Sequence, residues 1–250
     1  MKFLSGHRLE INNLWKLTLG INEFVLYSNR IEPGYLNPLL ILYGEQFNRG
    51  DRDNVMWSFD LSLHLLWKNY LYLEYLIDDY QYESTPPAPN KTGLIFGLHS
   101  TEPFNLPRLD LSFEYTKISK WVYTHKYPQN TYTNYSICLG NPLGPDADRI
   151  DITLKEYIKW NIITQFHFSY KRKGEGKIYE SWETGMDPYP PFPSGIVEST
   201  ILFETSVFLK PFPSSEFIPG WRTYKTTNLH NIDGWTKQQN EFFIDISLTF

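Results

Sequence analysis

The fold turns on EFFIDISLTF, residues 241–250. Phe242, Ile244, Ile246, Leu248 and Phe250 fall on one parity, and Phe243, Asp245, Ser247 and Thr249 on the other. Successive side chains of an extended chain point to opposite faces, so this stretch reads as a strand with one apolar face. Soluble domains more often end in a frayed polar tail than in an aromatic residue on an apolar strand.

The same period of two recurs along the chain, whereas the helical period of 3.6 is hard to find. Val55, Trp57, Phe59, Leu61 and Leu63 oppose Met56, Ser58, Asp60, Ser62 and His64. Leu109, Leu111, Phe113 and Tyr115 oppose Arg108, Asp110, Ser112, Glu114 and Thr116. Eleven strands are expected, near 8–11, 15–27, 54–64, 70–82, 92–100, 108–116, 148–156, 160–171, 196–209, 217–232 and 241–250. Their typical length of about ten residues suits a tilted strand crossing a bilayer and exceeds the usual five or six of globular sheets.

Composition agrees with that alternation. Aromatic residues make up 17% of the 250 residues, yet the mean hydropathy is -0.41. Large apolar residues interleaved with polar ones produce this combination, in an outer-membrane barrel with a lipid and a water face or in a soluble β-sandwich. A net charge of -5 and a pI near 5.7 exclude a basic nucleic-acid surface. With one cysteine, Cys138, there is no internal disulfide framework and no thiolate zinc site. The histidines show no paired spacing, so neither metal nor cofactor is expected. No apolar run is long enough for a transmembrane helix, and MKFLSGHRLE is too short for a secretory leader.

Barrel and sandwich are separated by the connections. Outer-membrane barrels have short periplasmic turns and longer extracellular loops. With the C-terminal strand ending in the periplasm, the inside turns fall near 12–14, 65–69, 101–107, 157–159 and 210–216. The outside loops fall near 28–53, 83–91, 117–147, 172–195 and 233–240, each longer than every inside turn. A sandwich has no reason to sort its loops by parity. The expected fold class is therefore all-β, an antiparallel transmembrane barrel of outer-membrane type, with residues 1–250 in a single barrel domain. An odd strand count leads to the expectation that this is the C-terminal part of a larger barrel, with further strands and a signal peptide upstream.

Several motifs in order carry a family resemblance: GYLNPLLILYGEQFNRGDRDNVMWSFDL (34–61), YLEYLIDDYQ (72–81), WVYTHKYPQNTYTNY (121–135), LGNPLGPDADRIDITL (139–154) and YKRKGEGKI (170–178). Together they resemble the Wzi-like capsule assembly proteins, from about His7 to the end. The resemblance implies an outer-membrane barrel of about eighteen strands, located in the bacterial outer membrane. It further implies that the protein attaches or organises capsular polysaccharide and catalyses no reaction. The implied partners are capsular or surface polysaccharide, outer-membrane lipid and the barrel-assembly machinery, for which the terminal Phe250 is the expected signal. A porin-like transport barrel and a soluble carbohydrate-binding domain are the alternatives.

Candidate glycan contacts follow from chemistry. On the polar parity, Asp60, Glu74, Asp78 and Glu114 accept hydrogen bonds and Arg108 donates them, as vicinal sugar hydroxyls require; a water-filled lumen lined with paired charges looks the same. Two carboxylates also raise glycosidase chemistry, but Asp78 and Asp79 point to opposite faces, and Glu74 and Asp78, four residues apart, are separated by about 13 Å. Trp121, Tyr123, His125 and Tyr132 lie in one expected outside loop and Trp182 in another, where rings stack on sugar C–H faces or anchor strands at the membrane interfaces. GPDAD around Asp146 reads as a turn, because it lacks the remaining ligands of a calcium loop. The basic run around Gly174 reads as a solvated loop.

Overall fold

The computed structural model describes residues 1–50, 52–65, 68–81, 85–212 and 214–248, giving the backbone alone at 13 and 14. Eleven strands form one antiparallel sheet in which chain neighbours pair along its whole width. They are β1 (Lys2–Leu14), β2 (Leu17–Ser28), β3 (Asn54–Leu65), β4 (Asn69–Asp79), β5 (Lys91–Thr101), β6 (Leu109–Ile118), β9 (Ala147–Lys159), β10 (Ile162–Lys173), β11 (Glu198–Leu209), β12 (Ser215–Thr227) and β13 (Lys237–Leu248). A two-residue hairpin, β7 (Thr133–Asn134) with β8 (Ile137–Cys138), stands apart inside the connection between β6 and β9. The sheet is open: β1 pairs with β2 and β13 with β12, and the two edge strands do not meet.

All eleven expected strands are present, with shifted ends. The first runs over Lys2–Leu14 rather than 8–11, because pairing with β2 from Lys2–Ser28 onward extends it through a stretch whose own alternation is weak. β12 ends at Thr227 rather than 232, where Asn228 adopts a positive φ of 53° and Leu229–Asn231 turn as a 3-10 helix. β13 begins at Lys237 rather than 241, since Lys-Gln-Gln-Asn carries no apolar residue to mark a face yet pairs from Thr226. The helical content missed by the periodicity is α1 (Leu42–Asn48), a seven-residue helix in the second connection. Among the described residues no helix is long and apolar enough to cross a membrane. Phe250 lies outside the described residues.

The connections sort as expected. The short ones span 15–16, 66–68, 102–108, 160–161 and 210–214, and the long ones 29–53, 80–90, 119–146, 174–197 and 228–236. In the two-residue turn 15–16, Trp15 and Lys16 both take positive φ, 54° and 69°, the backbone that matches the twist of a two-residue hairpin. All long connections therefore leave one end of the sheet, called here the outer end.

Register carries the alternation across the sheet. On one face Leu63, Leu71, Leu98, Phe113, Ile152, Phe168 and Phe203 form an unbroken apolar row over seven strands. Phe166, Phe203, Phe242, Ile244, Ile246 and Leu248 on this face are exposed. The opposite face holds a polar row of Ser62, Tyr72, Gly97, Glu114, Asp151 and Ser169. Its side chains reach over glycines to strands two away. Tyr72 crosses Gly97 and its hydroxyl donates to Glu114, while Arg8 crosses Gly20 to Asp60, at 2.8 Å from Nη2. A Cβ at 97 or 20 would occupy the space of the Tyr72 ring or the Arg8 guanidinium.

Candidate functional site

The outer end is built from two loops that cover opposite faces of the sheet. On the apolar parity, the connection 29–53 packs Tyr35 and Leu42 against Val25, Tyr27 and Val55, with Phe3 and Trp57 at the margin. Glu23 fixes its helix. The carboxylate is buried and accepts the Leu42 and Tyr43 amides, each at 2.8 Å, with His7 Nε2 at 3.0 Å. A carboxylate at the first turn of a helix satisfies amides that have no partner within it. Deeper in the loop, Asp53 Oδ2 takes the Tyr35 hydroxyl at 2.6 Å and the Arg30 guanidinium, and Gln46 Nε2 donates to the Asp53 carbonyl at 2.8 Å. Burial and the Asp53 carboxylate together push the Tyr35 phenol well up.

On the polar parity, the connection 119–146 folds across the sheet. Val122 and Tyr123 pack with Met56 and Ile118, and Leu76, Tyr132 and Ile178 close around them. The Tyr123 and Tyr132 rings stack at 5.7 Å and 20°. Burial pushes both phenols up, and likewise the half-buried Cys138 thiol. Backbone bridges pin the loop: Asn54 Nδ2 donates to the Asn130 carbonyl at 3.1 Å, and Lys2 Nζ to those of Thr131 and Thr133 at 2.7 and 3.0 Å. A cavity of about 240 Å³ remains beneath it, lined by Glu74, Leu76, Ile118, Tyr123 and Tyr132 among others.

Asp146 joins this loop to the connection 174–197. It is fully buried, with Oδ1 accepting the Ser194 amide at 3.0 Å and Oδ2 the Ser194 hydroxyl at 2.6 Å and the Gly176 amide at 2.9 Å. Its own amide donates to the Ser119 carbonyl at 3.2 Å and its carbonyl accepts the Gly174 amide at 2.8 Å. Two positions on, Asp148 receives Arg172 Nε at 2.9 Å. GPDAD is thus a turn, as read, and also the staple between two loops. Among the described residues no cluster of side chains is fit to hold a metal ion.

Four connections then enclose a cleft of about 880 Å³. The 29–53 loop contributes Tyr43, Phe47 and Asp53, the 80–90 loop Tyr80 and Gln81, the 119–146 loop His125 and Lys126, and the 174–197 loop Trp182 and Glu183. Asp78, Asp79 and Lys91 form its floor, with the Lys91 ammonium 3.6 Å from Asp79. Among the described residues Asp53 Oδ1, buried, has no hydrogen-bond partner. Aromatic rings beside carboxylates and ammonium groups are the complement of a sugar with its C–H faces and hydroxyls.

Of the residues singled out from sequence, Asp78, His125 and Trp182 come together in this cleft. Asp78 is buried, and one oxygen accepts the Tyr123 amide. Glu74, Tyr123 and Tyr132 line the smaller cavity. Trp121 and Tyr123 are buried, which leaves little of either ring for a ligand. Asp60 is held by Arg8 and by Asn22 Nδ2 at 2.9 Å, and Glu114 by Tyr72 with Arg149 at 3.9 Å. Arg108 sits at the other end of the sheet, in the 102–108 turn, donating to the Ile158 carbonyl at 3.2 Å. The cleft residues not anticipated, Tyr43, Phe47 and Lys91, carry no distinguishing pattern in the sequence; α1, which presents the first two, is too short to show a helical period.

Taken together, the fold defines a class: an up-and-down antiparallel sheet with one apolar exposed face, one polar face, and its long loops gathered at one end around a cleft. Within that class, residues 2–223 match the family model of the capsule assembly protein Wzi, and the chain belongs to this family. Comparison with curated proteins and with solved structures yields no match.

Proposed function

We propose that this chain forms part of a single outer-membrane β-barrel domain whose outer loops hold capsular polysaccharide at the bacterial surface, binding it without catalysing a reaction. The observation that carries the reading is the pairing of an exposed apolar face with a cleft walled by four of the long connections over the outer ends of β4 and β5. A face of exposed Phe, Ile and Leu belongs against lipid. The short turns add to it: Trp15, Phe104, Trp160 and Phe212, at their tips, are 91%, 90%, 81% and 68% exposed, as interfacial anchors would be. Closure in an antiparallel barrel takes an odd number of additional strands, because β1 and β13 run in the same direction.

Family membership supports the role in capsule assembly, and the cleft supplies rings and polar groups for a glycan. The polar-face carboxylates support a binding rather than a catalytic role. Asp60 and Glu74 oppose one another across β3 and β4, yet Asp60 is held by Arg8 and Asn22, so this pair does not offer two free carboxyl groups. The 119–146 loop lying across the polar face counts against a porin-like open lumen.

The test is retention of capsule. Cells carrying Trp182→Ala or Lys91→Ala at normal surface levels are expected to shed polysaccharide into the medium, and the purified full-length variant to bind isolated capsular polysaccharide several-fold more weakly. Full retention and unchanged binding in both variants would overturn the cleft as the glycan site. Steady conductance in planar bilayers would favour transport instead.

A further inference from the structure

The connection 29–53 carries an apolar surface that neither the sheet nor the cleft uses. Residues 33–43, PGYLNPLLILY, contain no charged side chain. Tyr35 and Leu42 turn inward, while Leu36, Leu39, Leu40 and Ile41 are exposed, Leu39 at 90%. Ile31 adds to them. Five charged groups of the loop pair among themselves, Arg30 with Asp53 and Glu32, and Arg49 with Glu45 and Glu32. The loop therefore separates an ion-paired cluster, anchored on the buried Glu32 and Asp53, from an exposed apolar tip.

Its place on the sheet decides what that tip meets. Tyr35 and Leu42 rest on Val25, Tyr27 and Val55, on the same face as the apolar rows. Along β2 that face carries Leu19 and Ile21, is interrupted by Glu23, and continues as Val25 under the loop. Leu9, Ile21 and Phe59, next to the Glu23 level on β1, β2 and β3, are exposed. The exposed tip thus lies outward of this exposed apolar stretch, on the loop that covers Val25, Tyr27 and Val55. Glu23 is a second indication. A carboxylate on a face that met water would need no cover, whereas here the Leu42 and Tyr43 amides and His7 close it off completely.

We propose that Leu36 and Leu39–Ile41 form an interfacial foot that inserts into the outer leaflet of the membrane, docking the 29–53 loop onto lipid beside the barrel wall. The inference rests on the membrane reading given above. A short uncharged apolar segment, bounded by the ion-paired Arg30–Glu32 and Glu45–Arg49 and lying beside a hydrophobic wall, has the apolar character of a segment that settles at the headgroup–acyl boundary. It would tether one wall of the cleft, since Tyr43 and Phe47 on α1 follow directly, and fix the height of the cleft above the bilayer.

Site-directed spin labelling of the full-length protein, reconstituted in phosphatidylethanolamine–phosphatidylglycerol vesicles, tests this. In a Cys138→Ser background a nitroxide is placed at Leu39→Cys or Ile41→Cys, with Phe166→Cys on the apolar face and Tyr189→Cys in an outer loop as references. Collision with dissolved oxygen relative to a water-soluble nickel chelate is expected to be several-fold higher at 39 and 41 than at 189, approaching the value at 166. A value at 39 and 41 equal to that at 189, with 166 still in lipid, overturns the foot and leaves the barrel standing. A label at 39 shielded from both reagents also overturns it, in favour of cover by protein, from a second copy or another part of the chain. If 166 itself behaves like 189, the membrane reading has failed first.

Discussion

Asp146→Ala is the perturbation that most directly tests how the cleft is held together. The buried carboxylate ends three hydrogen bonds, from the Ser194 amide at 3.0 Å, the Ser194 hydroxyl at 2.6 Å and the Gly176 amide at 2.9 Å. A hydrogen bond to a charged acceptor contributes about 1.5–3 kcal/mol net, and removing the acceptor leaves buried donors unsatisfied. The three bonds share one carboxylate and are not additive, so the loss is set at roughly 3–5 kcal/mol rather than their sum. Since every 1.4 kcal/mol is a factor of ten, opening of the 174–197 loop should rise from about a hundredfold to a few thousandfold. Amide hydrogen exchange on the full-length protein reads this directly: peptides covering 174–197 should lose protection by that factor while those from β9 and β10 keep theirs. Asp146→Asn, which keeps one acceptor oxygen, should fall between. Unchanged exchange across 174–197 in Asp146→Ala would refute the staple, and equal loss in β9 and β10 would show that the residue supports the sheet instead.

Three further outcomes follow from the same geometry. Glu23→Ala strips the Leu42 and Tyr43 amides of their shared acceptor and should cost about 2–4 kcal/mol, whereas Arg8→Ala breaks a partly exposed pair with Asp60 and should cost less than about 1 kcal/mol; denaturant melts in detergent compare them. Gly97→Ala drives a methyl into the Tyr72 ring, and should lower stability by about 1–3 kcal/mol, with Tyr72→Ala restoring part of it in the double variant. Because burial raises the Cys138 pKa, less thiolate is present at neutral pH, so iodoacetamide should label it more slowly than a small-molecule thiol and accelerate as pH rises.

The strands were legible because the property that marks them is also the property that orders them. A face of Leu71, Leu98, Phe113 and Ile152 is written as alternation in four separate segments, and register only aligns what each already declares. The direction of the loops was legible too, since length alone sorts them. Errors fell where alternation lapses: at Lys2 to His7, where β2 dictates the pairing, and at Lys237 to Asn240, where both faces are polar. The helix α1 was invisible because seven residues hold barely two turns, and its stability comes from Glu23, a residue of another element.

The site was only partly legible, and the reason is chemical rather than statistical. A carboxylate that accepts sugar hydroxyls and one that accepts backbone amides are the same group, so residue type cannot separate a binding residue from a staple. Burial separates them. Asp78, Asp146 and Glu23 spend their oxygens on Tyr123, on Ser194 with Gly176, and on Leu42 with Tyr43, each tying a loop down at the outer end. The aromatic residues divide the same way: Trp121 and Tyr123 are buried, whereas Trp182, from a neighbouring loop, reaches the cleft. Holding long loops rigid over a sheet uses the same acids and rings that recognise a glycan. On the binding reading proposed above, the residues that would meet a glycan are those at the seams between loops, where His125, Lys91 and Trp182 come together from segments far apart in the chain.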